Sequence, residues 1–213
     1  MSPTATRTAP SPRIRLLYFP WAGRGQPIRD CLRLGGVDFE DVRLSVPEFR
    51  AQRAAGAFPF DLLPVLELEG GVRIGQSNTV LRWAAQQAGL TPEDPIDALR
   101  VESLIDMVED YAARLSVTIR EPDPAVRAHQ RAGLAERWMP ELYANLTRQL
   151  QRADTGWLVG DRLTAADLKA YHLLCKLTDG SLDGMPTDAL ADQLEVRTWM
   201  GRVRDARECL RSP

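Results

Sequence analysis

The sequence predicts a small α/β unit with a mixed four-stranded sheet, followed by an all-helical unit. Short apolar runs alternate with helical stretches up to about residue 90, whereas no convincing strand pattern follows Gly89. Beyond that point the apolar residues are spaced as in long helices. The chain is therefore predicted to comprise a disordered tail at 1–13, an α/β domain at 14–90 and a helical domain at 91–213.

The first unit begins with an apolar, aromatic run at 14–19, which predicts a buried strand because the run is short and ends at Pro20. Pro27 suits the first turn of a helix, and the pair Gly35-Gly36 suits its end. The remaining predicted elements are a strand over 39–44, a helix over 47–55, a hairpin over 64–68 and 72–74, and a helix over 77–88.

Three apolar patterns predict the helices of the second unit. Apolar residues from Val101 to Leu115 have helical spacing. A four-residue repeat from Leu134 through Trp138 to Leu150 predicts one long second helix. Residues 168–177 are nearly all apolar, which predicts a helix at the centre of a bundle.

Composition excludes several functional classes. The chain has 213 residues, 27 basic and 29 acidic side chains and a formal net charge of −2, which argues against a nucleic-acid binder. No apolar run reaches the roughly 18 residues that span a bilayer. Cys31, Cys175 and Cys209 form no Cys-x-x-Cys pair, and His129 and His172 are isolated, so neither a metal site nor a dithiol motif is predicted. A reducing, cytoplasmic compartment is expected.

Residues 1–13 contain no acid and no apolar block. They lack the apolar segment of a secretory signal. An Arg- and Ser-containing start is also compatible with a transit peptide, but its three prolines oppose an amphipathic helix. A disordered tail is the favoured interpretation.

Tyr18 lies near the predicted C-terminal end of the first strand, an edge where α/β sheets often carry catalytic groups. On position alone, a packed aromatic side chain is the simpler interpretation. The residues that follow are Phe19-Pro-Trp-Ala-Gly23-Arg24-Gly-Gln26. This segment resembles the N-terminal signature of the cytosolic glutathione transferases that use a tyrosine, in which Tyr-Phe precedes a variable loop, Gly-Arg, a small residue and usually Glu. Gln26 replaces that Glu.

Four later segments, in the expected order, extend the resemblance over most of the chain. They are Leu63-Pro64-Val-Leu-Glu, Gln76-Ser77, the helical segment around Asp106, and 160–168. The resemblance implies an α/β N-terminal thioredoxin-like domain with a mixed four-stranded sheet, plus an all-α C-terminal helical domain. The tyrosine and the Gly-Arg loop place the sequence nearest the sigma, alpha, mu and pi classes.

The resemblance implies that Tyr18 donates a hydrogen bond to the glutathione sulfur. A free thiol has a pKa of ~8.5, so only a few per cent of it is thiolate at neutral pH. A hydrogen bond to a charged group contributes ~1.5–3 kcal/mol, which favours the thiolate. Arg24 is a fixed cation that would favour the same anion. A surface salt bridge is the open alternative for Arg24.

Four residues are implied to contact the glycyl and cysteinyl parts of glutathione. Phe49 and Arg53 lie where relatives carry a Trp and a Lys at the glycyl end, although a solvated helix face stays open for this segment. Arg53 would pair with the carboxylate. Leu63 would pair its backbone with the cysteinyl part, and the Pro64 bond that follows would be cis.

Gln76 and Ser77 are implied to hold the γ-glutamyl carboxylate at a helix N-terminus. Ser77 is also a favoured N-cap residue, so simple capping is an alternative that can hold at the same time. Asp106 matches the acid that reaches the γ-glutamyl ammonium of the neighbouring subunit. A solvated acidic face is the alternative for Asp106.

Thr164 and Asp167 are predicted to have a structural role. Their spacing is that of a capping box, in which each side chain pairs with the backbone N–H of the other residue. Leu163 and Leu168 occupy the flanking positions of a hydrophobic staple.

The resemblance implies a detoxifying transferase of alkyl or aryl groups, which conjugates the glutathione thiolate to small hydrophobic electrophiles. Glutathione would be a co-substrate, no metal would be needed, and the chain would form a homodimer without nucleic-acid or membrane partners. A glutathione-dependent isomerase or peroxidase on the same fold remains an alternative. A catalytically silent binding protein is another.

Overall fold

The computed structural model describes residues 14–208, so the predicted tail at 1–13 lies outside the described residues. Four strands, β1 (Arg15–Tyr18), β2 (Glu40–Arg43), β3 (Val65–Glu67) and β4 (Arg73–Ile74), form one sheet in the order β2-β1-β3-β4. Strand β1 runs parallel to β2 and antiparallel to β3, and β3 is antiparallel to β4. The predicted mixed four-stranded sheet is therefore confirmed.

The rest of the described chain consists of helices joined by loops. They are α1 (Gln26–Leu34), α2 (Val46–Ala54), α3 (Ser77–Gln87), α4 (Pro95–Ile119), α5 (Pro124–Arg137), α6 (Met139–Ala153), α7 (Ala165–Thr178) and α8 (Leu194–Glu208). Beyond β4 the residues described up to 208 contain helices and no strand. The division proposed at residues 90 and 91 falls in the loop between α3 and α4.

The predicted long second helix is wrong, because the chain breaks at Trp138 into α5 and α6. Pro140 explains the break. Proline lacks the N–H that a helix interior needs, and its ring clashes with the carbonyl four residues earlier. Met139 and Pro140 therefore open a new helix, where proline is tolerated. The four-residue apolar repeat continues across this break, so the repeat alone does not indicate where α5 ends.

Helix α7 is the centre of the molecule. Ten of its 14 residues are buried, and it packs against α1 and α4. One hydrophobic cluster runs from Leu16 in β1 through Ile28 in α1 to Leu168 and Leu174 in α7. The cluster joins both units. The C-terminal end of β1, where Tyr18 lies, therefore faces helices of the second unit.

A buried ionic cluster also joins the two units. Asp30 in α1 is 5% exposed. Its Oδ2 atom lies 2.6 Å from Nε2 of His172 in α7 and accepts a hydrogen bond from Nε of Arg207 in α8. Burial alone would raise the pKa of Asp30, but His172 and Arg207 outweigh it and lower the pKa to about 2.

No helix within residues 14–208 combines the length and apolar character needed to cross a membrane. The same stretch of chain contains no group of three or more His, Cys, Asp or Glu residues suited to hold a metal ion. Cys31 is fully buried in α1, and burial raises the pKa of its thiol, which makes it a poor nucleophile.

Candidate active site

Tyr18 is the last residue of β1 and is only 6% exposed. The chain then enters a 3₁₀ turn at Gly23–Gly25, whose glycines pack directly on the tyrosine. A Cβ atom on Gly23 would lie 2.4 Å from the Tyr18 hydroxyl oxygen, and one on Gly25 would lie 2.4 Å from Cδ1 of the ring. Larger residues would collide there, which explains the glycines on either side of Arg24.

The backbone N–H of Arg24 donates a 3.0 Å hydrogen bond to the Tyr18 hydroxyl oxygen. Burial raises the pKa of Tyr18, and the lowering effect of the Arg24 N–H does not cancel it. The phenol is therefore protonated at neutral pH. Because its oxygen accepts from Arg24, its own proton remains available for a second partner.

The Arg24 side chain forms a salt bridge, the alternative that the sequence left open, and its partner was not predicted. Its Nη2 atom lies 2.7 Å from Oε1 of Glu109 in α4. The other oxygen of Glu109 lies 2.7 Å from Nζ of Lys169 in α7. Burial would raise the pKa of Glu109, but Lys169 and Arg24 outweigh it and lower the pKa. Glu109 is therefore a shared carboxylate between two cations.

Gln76 and Ser77 lie at the beginning of α3, close to this cluster. Ser77 is the first residue of the helix and Gln76 precedes it, so the expectation that Ser77 is the N-cap is wrong by one position. Gln76 has a φ of 73°, a left-handed conformation that is uncommon for residues other than glycine. Asn78, the second residue of α3, accepts a hydrogen bond from Lys169. The beginning of α3 is thereby connected to Glu109.

A cavity of about 610 Å³ lies between the end of β1 and helices α3, α4 and α7. Polar side chains line one part of it: Tyr18, Arg24, Ser77, Asn78, Glu109 and Lys169. The volume is within the range of small-molecule sites. Three of the residues expected from the sequence, Tyr18, Arg24 and Ser77, thus share one cavity.

The other expected binding residues lie outside the lining of this cavity. Phe49 and Arg53 are on α2, where Phe49 contacts the ring of Phe19 at 5.2 Å between centroids and Arg53 is exposed. Leu63 and Pro64 lie immediately before β3 and are joined by the cis bond that the resemblance implied. Their expected roles at glutathione stay predictions.

Asp106 lies on an exposed face of α4, where it contacts its own chain. Its Oδ1 atom accepts hydrogen bonds of 2.7 Å from Arg82 and 2.8 Å from Asn78. Glu102 pairs with the same Arg82. The acidic face of α4 is therefore paired with cations, and it is more than a row of solvated carboxylates.

Thr164 and Asp167 form the capping box at the start of α7. Oδ2 of Asp167 accepts hydrogen bonds from the Thr164 N–H at 2.9 Å and its hydroxyl at 2.7 Å. Oδ1 accepts from the Leu158 N–H at 3.0 Å and the Trp199 indole at 2.8 Å. These contacts fit a structural role, because Asp167 fastens the loop before α7 and helix α8 to the core.

Sequence reasoning missed Glu109, Lys169 and Asn78 as members of the site. Glu109 is 85 positions from Arg24, and Lys169 is 60 positions from Glu109. The one available signal was Lys169, a cation flanked by apolar residues in the predicted central helix. A charged group at such a position needs a partner, since burying it alone is costly.

The fold and this site together define a glutathione-transferase-like class, and comparisons with known proteins agree. Residues 109–206 match the family model described as "Glutathione S-transferase, C-terminal domain". Glutathione S-transferase 2 of Caenorhabditis elegans is 33% identical over 171 residues, which cover 76% of this chain and 87% of the relative. The chain therefore belongs to the glutathione S-transferase family.

Two further proteins are similar to this chain. The crystal structure of the glutathione S-transferase from Ascaris lumbricoides has a TM-score of 0.76, is 26% identical, and covers 91% of this chain and 92% of its own. The hematopoietic prostaglandin D synthase of Gallus gallus is 28% identical over 78% of this chain and 79% of the relative. The predicted family, the enzyme class of glutathione transferase and the fold, a thioredoxin-like domain followed by a helical domain, are confirmed.

Proposed function

We propose that this protein conjugates the thiolate of glutathione to small hydrophobic electrophiles, and that Tyr18 stabilises the thiolate. The observation that carries the proposal is the geometry of the Tyr18 hydroxyl. It lines the cavity, and it is protonated at neutral pH because the ordinary pKa of tyrosine is ~10 and burial raises it further. Its oxygen already accepts the Arg24 N–H. Its proton is thus free to donate to an anionic sulfur.

In this mechanism Tyr18 remains protonated and acts as a hydrogen-bond donor. The free thiol, with a pKa of ~8.5, is mostly protonated at neutral pH. Donation from Tyr18 favours the thiolate by ~1.5–3 kcal/mol, which lowers the thiol pKa by about one to two pH units. Arg24 adds a nearby positive charge. The thiolate then attacks the electrophilic carbon, a sulfur–carbon bond forms, and the leaving group departs with its electron pair.

The rest of glutathione is proposed to extend from Tyr18 toward α3. Its γ-glutamyl carboxylate would lie at the beginning of α3, with Gln76 and Ser77, where backbone N–H groups attract anions. Its cysteinyl part would pair with the Leu63 backbone beside Pro64. Its glycyl carboxylate would approach Arg53, next to Phe49, because a guanidinium suits bidentate carboxylate binding.

A homodimer is part of the proposal, with Asp106 as the residue that would act across its interface. Both hydrogen bonds that Asp106 receives from side chains within residues 14–208 fall on Oδ1. The second oxygen, Oδ2, is therefore available for a γ-glutamyl ammonium. A cytoplasmic location is expected, since glutathione conjugation requires a supply of reduced thiol.

The electrophile is proposed to occupy the apolar part of the same cavity. Its aliphatic lining consists of Leu81, Val108, Leu115, Ile119, Leu173 and Leu182, and polar side chains such as Ser116, Arg131, His172, Lys176 and Asp179 also line the cavity. Burial of an apolar substrate against the aliphatic side chains is favourable by about 25 cal/mol per Å². Trp21, stacked on Phe19 with 4.4 Å between ring centroids, lies at the margin of the cavity.

The proposal is tested by calorimetric titration with glutathione, followed by turnover of an aromatic halide. Glutathione should bind at millimolar concentration or below. Tyr18→Phe should lower kcat/KM by about 10- to 100-fold, the equivalent of one hydrogen bond to a charged group. Tyr143→Phe is the matched control, because the Tyr143 hydroxyl is buried without a partner among residues 14–208. Absence of glutathione binding, or equal activity of both variants, would contradict the proposal.

A glutathione-dependent isomerase is a second candidate, because one relative is named as a prostaglandin D synthase. This reaction, conjugation and peroxide reduction differ in the fate of glutathione. Conjugation consumes the thiol, isomerisation returns it, and a peroxidase would oxidise it to the disulfide. Measuring both free thiol and glutathione disulfide after turnover of an aromatic halide, a lipid endoperoxide and an organic hydroperoxide distinguishes the three.

A further inference from the structure

Lys169 is one of only two lysines in the chain and lies in the most deeply buried helix. It is 8% exposed. Burial lowers the pKa of its ammonium, and Glu109 only partly offsets this. Placing a cation in α7 is costly unless it has a specific role or partner. Neither helix formation nor packing in α7 requires a charge at Lys169.

The charges around Glu109 do not balance. Arg24 and Lys169 contribute two positive charges, and the carboxylate between them contributes one negative charge. The three groups together carry one surplus positive charge, and all three line the cavity. A bound thiolate carries one negative charge. The surplus therefore matches the anion that the proposed function places beside Tyr18.

Lys169 determines how that surplus is distributed. Without it, Glu109 and Arg24 would form a neutral pair, and the carboxylate would oppose the effect of Arg24 on a neighbouring anion. With it, one oxygen of Glu109 faces the ammonium at 2.7 Å and the other faces the guanidinium at 2.7 Å. The negative charge is thus shared between two cations.

Other charged groups face this cluster without replacing Lys169. Asp106 is paired with Arg82, and Glu102 is paired with the same arginine. On the far side of Tyr18, the Arg29 guanidinium lies 5.6 Å from the ring centroid, but its Nε donates to Asp41. Arg82 is thus shared by two acids, and Asp41 is shared by three arginines, so these groups form networks of their own. Asp106 acts on Lys169 by its charge, whereas Glu109 is the carboxylate that contacts both Lys169 and Arg24.

We propose that Lys169 is a positioning residue that acts through Glu109 to keep the charge of Arg24 available to the glutathione sulfur. This proposal rests on the proposed function. It predicts opposite effects for the two partners. Removing the lysine leaves the negative charge of the carboxylate less compensated, which disfavours the thiolate. Removing the carboxylate charge leaves both cations unopposed and favours the thiolate.

The test is a pH titration of the thiolate ultraviolet absorbance at saturating glutathione. Lys169→Met should raise the pKa of the bound thiol by roughly half to one pH unit, less than the 1–3 units of a charge in direct contact. Glu109→Gln should lower it, and Lys169→Arg should restore the wild-type value. Lys176→Met is the control on the same helix, because Lys176 also lines the cavity but pairs with Asp179 and not with Glu109.

An unchanged bound-thiol pKa in Lys169→Met, or a shift in the same direction in Lys169→Met and Glu109→Gln, would overturn the proposal. If Lys169→Met does not fold, Glu109→Gln decides alone, and no lowering of the thiol pKa would overturn it. Failure of the Lys169 proposal is distinguishable from failure of the proposed function. If the proposed function is wrong, glutathione does not bind, or Tyr18→Phe leaves the pKa of the bound thiol unchanged.

Discussion

Glu109 and Asp167 are two carboxylates of the helical unit that differ in their partners and in their exposure. Asp167 is fully buried, and its hydrogen-bond donors within the described part of the chain, on Leu158, Thr164 and Trp199, are all neutral. Glu109 keeps 26% of its side chain exposed and contacts two cations at a cavity wall. Burial raises the pKa of Asp167, whereas the cations lower the pKa of Glu109.

The difference shows how the same kind of group can hold a fold together or adjust the charge of a site. Neutral donors from three segments fix Asp167 in place and leave it no access to a ligand. Two cations leave Glu109 with a surplus of positive charge beside it, open to the cavity. The charge of the hydrogen-bonding partners and the access to the cavity therefore distinguish the structural role of Asp167 from the electrostatic role of Glu109.

Asp167→Ala should have the largest effect on stability. It leaves several buried donors without an acceptor, which costs about 1–3 kcal/mol for each. We expect unfolding free energy to fall by several kcal/mol, or soluble yield to collapse. Asp167→Asn should be milder, because Asn retains an acceptor oxygen. Chemical denaturation measures both, and soluble, normally stable but inactive Asp167→Ala protein would contradict the structural role.

Asp30→Asn extends the comparison to a carboxylate that is paired with Arg207 and His172 but joins helices. The pKa of Asp30 is lowered from 3.8 to about 2. A lowered carboxyl pKa means that the stabilisation is present above about pH 4 and is lost as the pH falls toward 2. The linkage corresponds to roughly 2 kcal/mol. Denaturation at several pH values should show the wild type losing its advantage over Asp30→Asn in that interval; a constant difference would contradict the ionic role.

Arg53→Ala should have the smallest effect, because Arg53 is exposed on α2. An exposed ion pair contributes about 0.2–1 kcal/mol, so the Kd for glutathione should rise by only a few fold. γ-Glutamylcysteine, which lacks the glycyl carboxylate, should bind equally to wild type and variant. Arg50→Ala, another exposed arginine of α2, is the matched control. An equal loss for both ligands would place Arg53 away from the glycyl carboxylate.

Local sequence signals predicted the elements and part of the site. Pro27 and the Gly35-Gly36 pair delimited α1, and the Thr164 and Asp167 spacing predicted the cap of α7. Each of these depends on residues a few positions apart. The break at Trp138 was missed because the apolar repeat continues through it.

The charge network could not be predicted, because its members come from distant parts of the chain. Arg24, Asn78, Glu109 and Lys169 meet only when the sheet and α3 pack against α4 and α7. Asp106 was assigned to a ligand ammonium by resemblance alone, and its contact with Arg82 depends on the same packing. Spacing along the sequence carries no information on such contacts.

The central claim is that the Tyr18 hydroxyl stabilises the glutathione thiolate. The most direct measurement is the pKa of the bound thiol, from thiolate absorbance against pH, in wild type, Tyr18→Phe and the control Tyr143→Phe. Wild type and control should lie one to two units below the ~8.5 of a free thiol, and Tyr18→Phe should return toward it. Equal pKa values in all three proteins would contradict the claim.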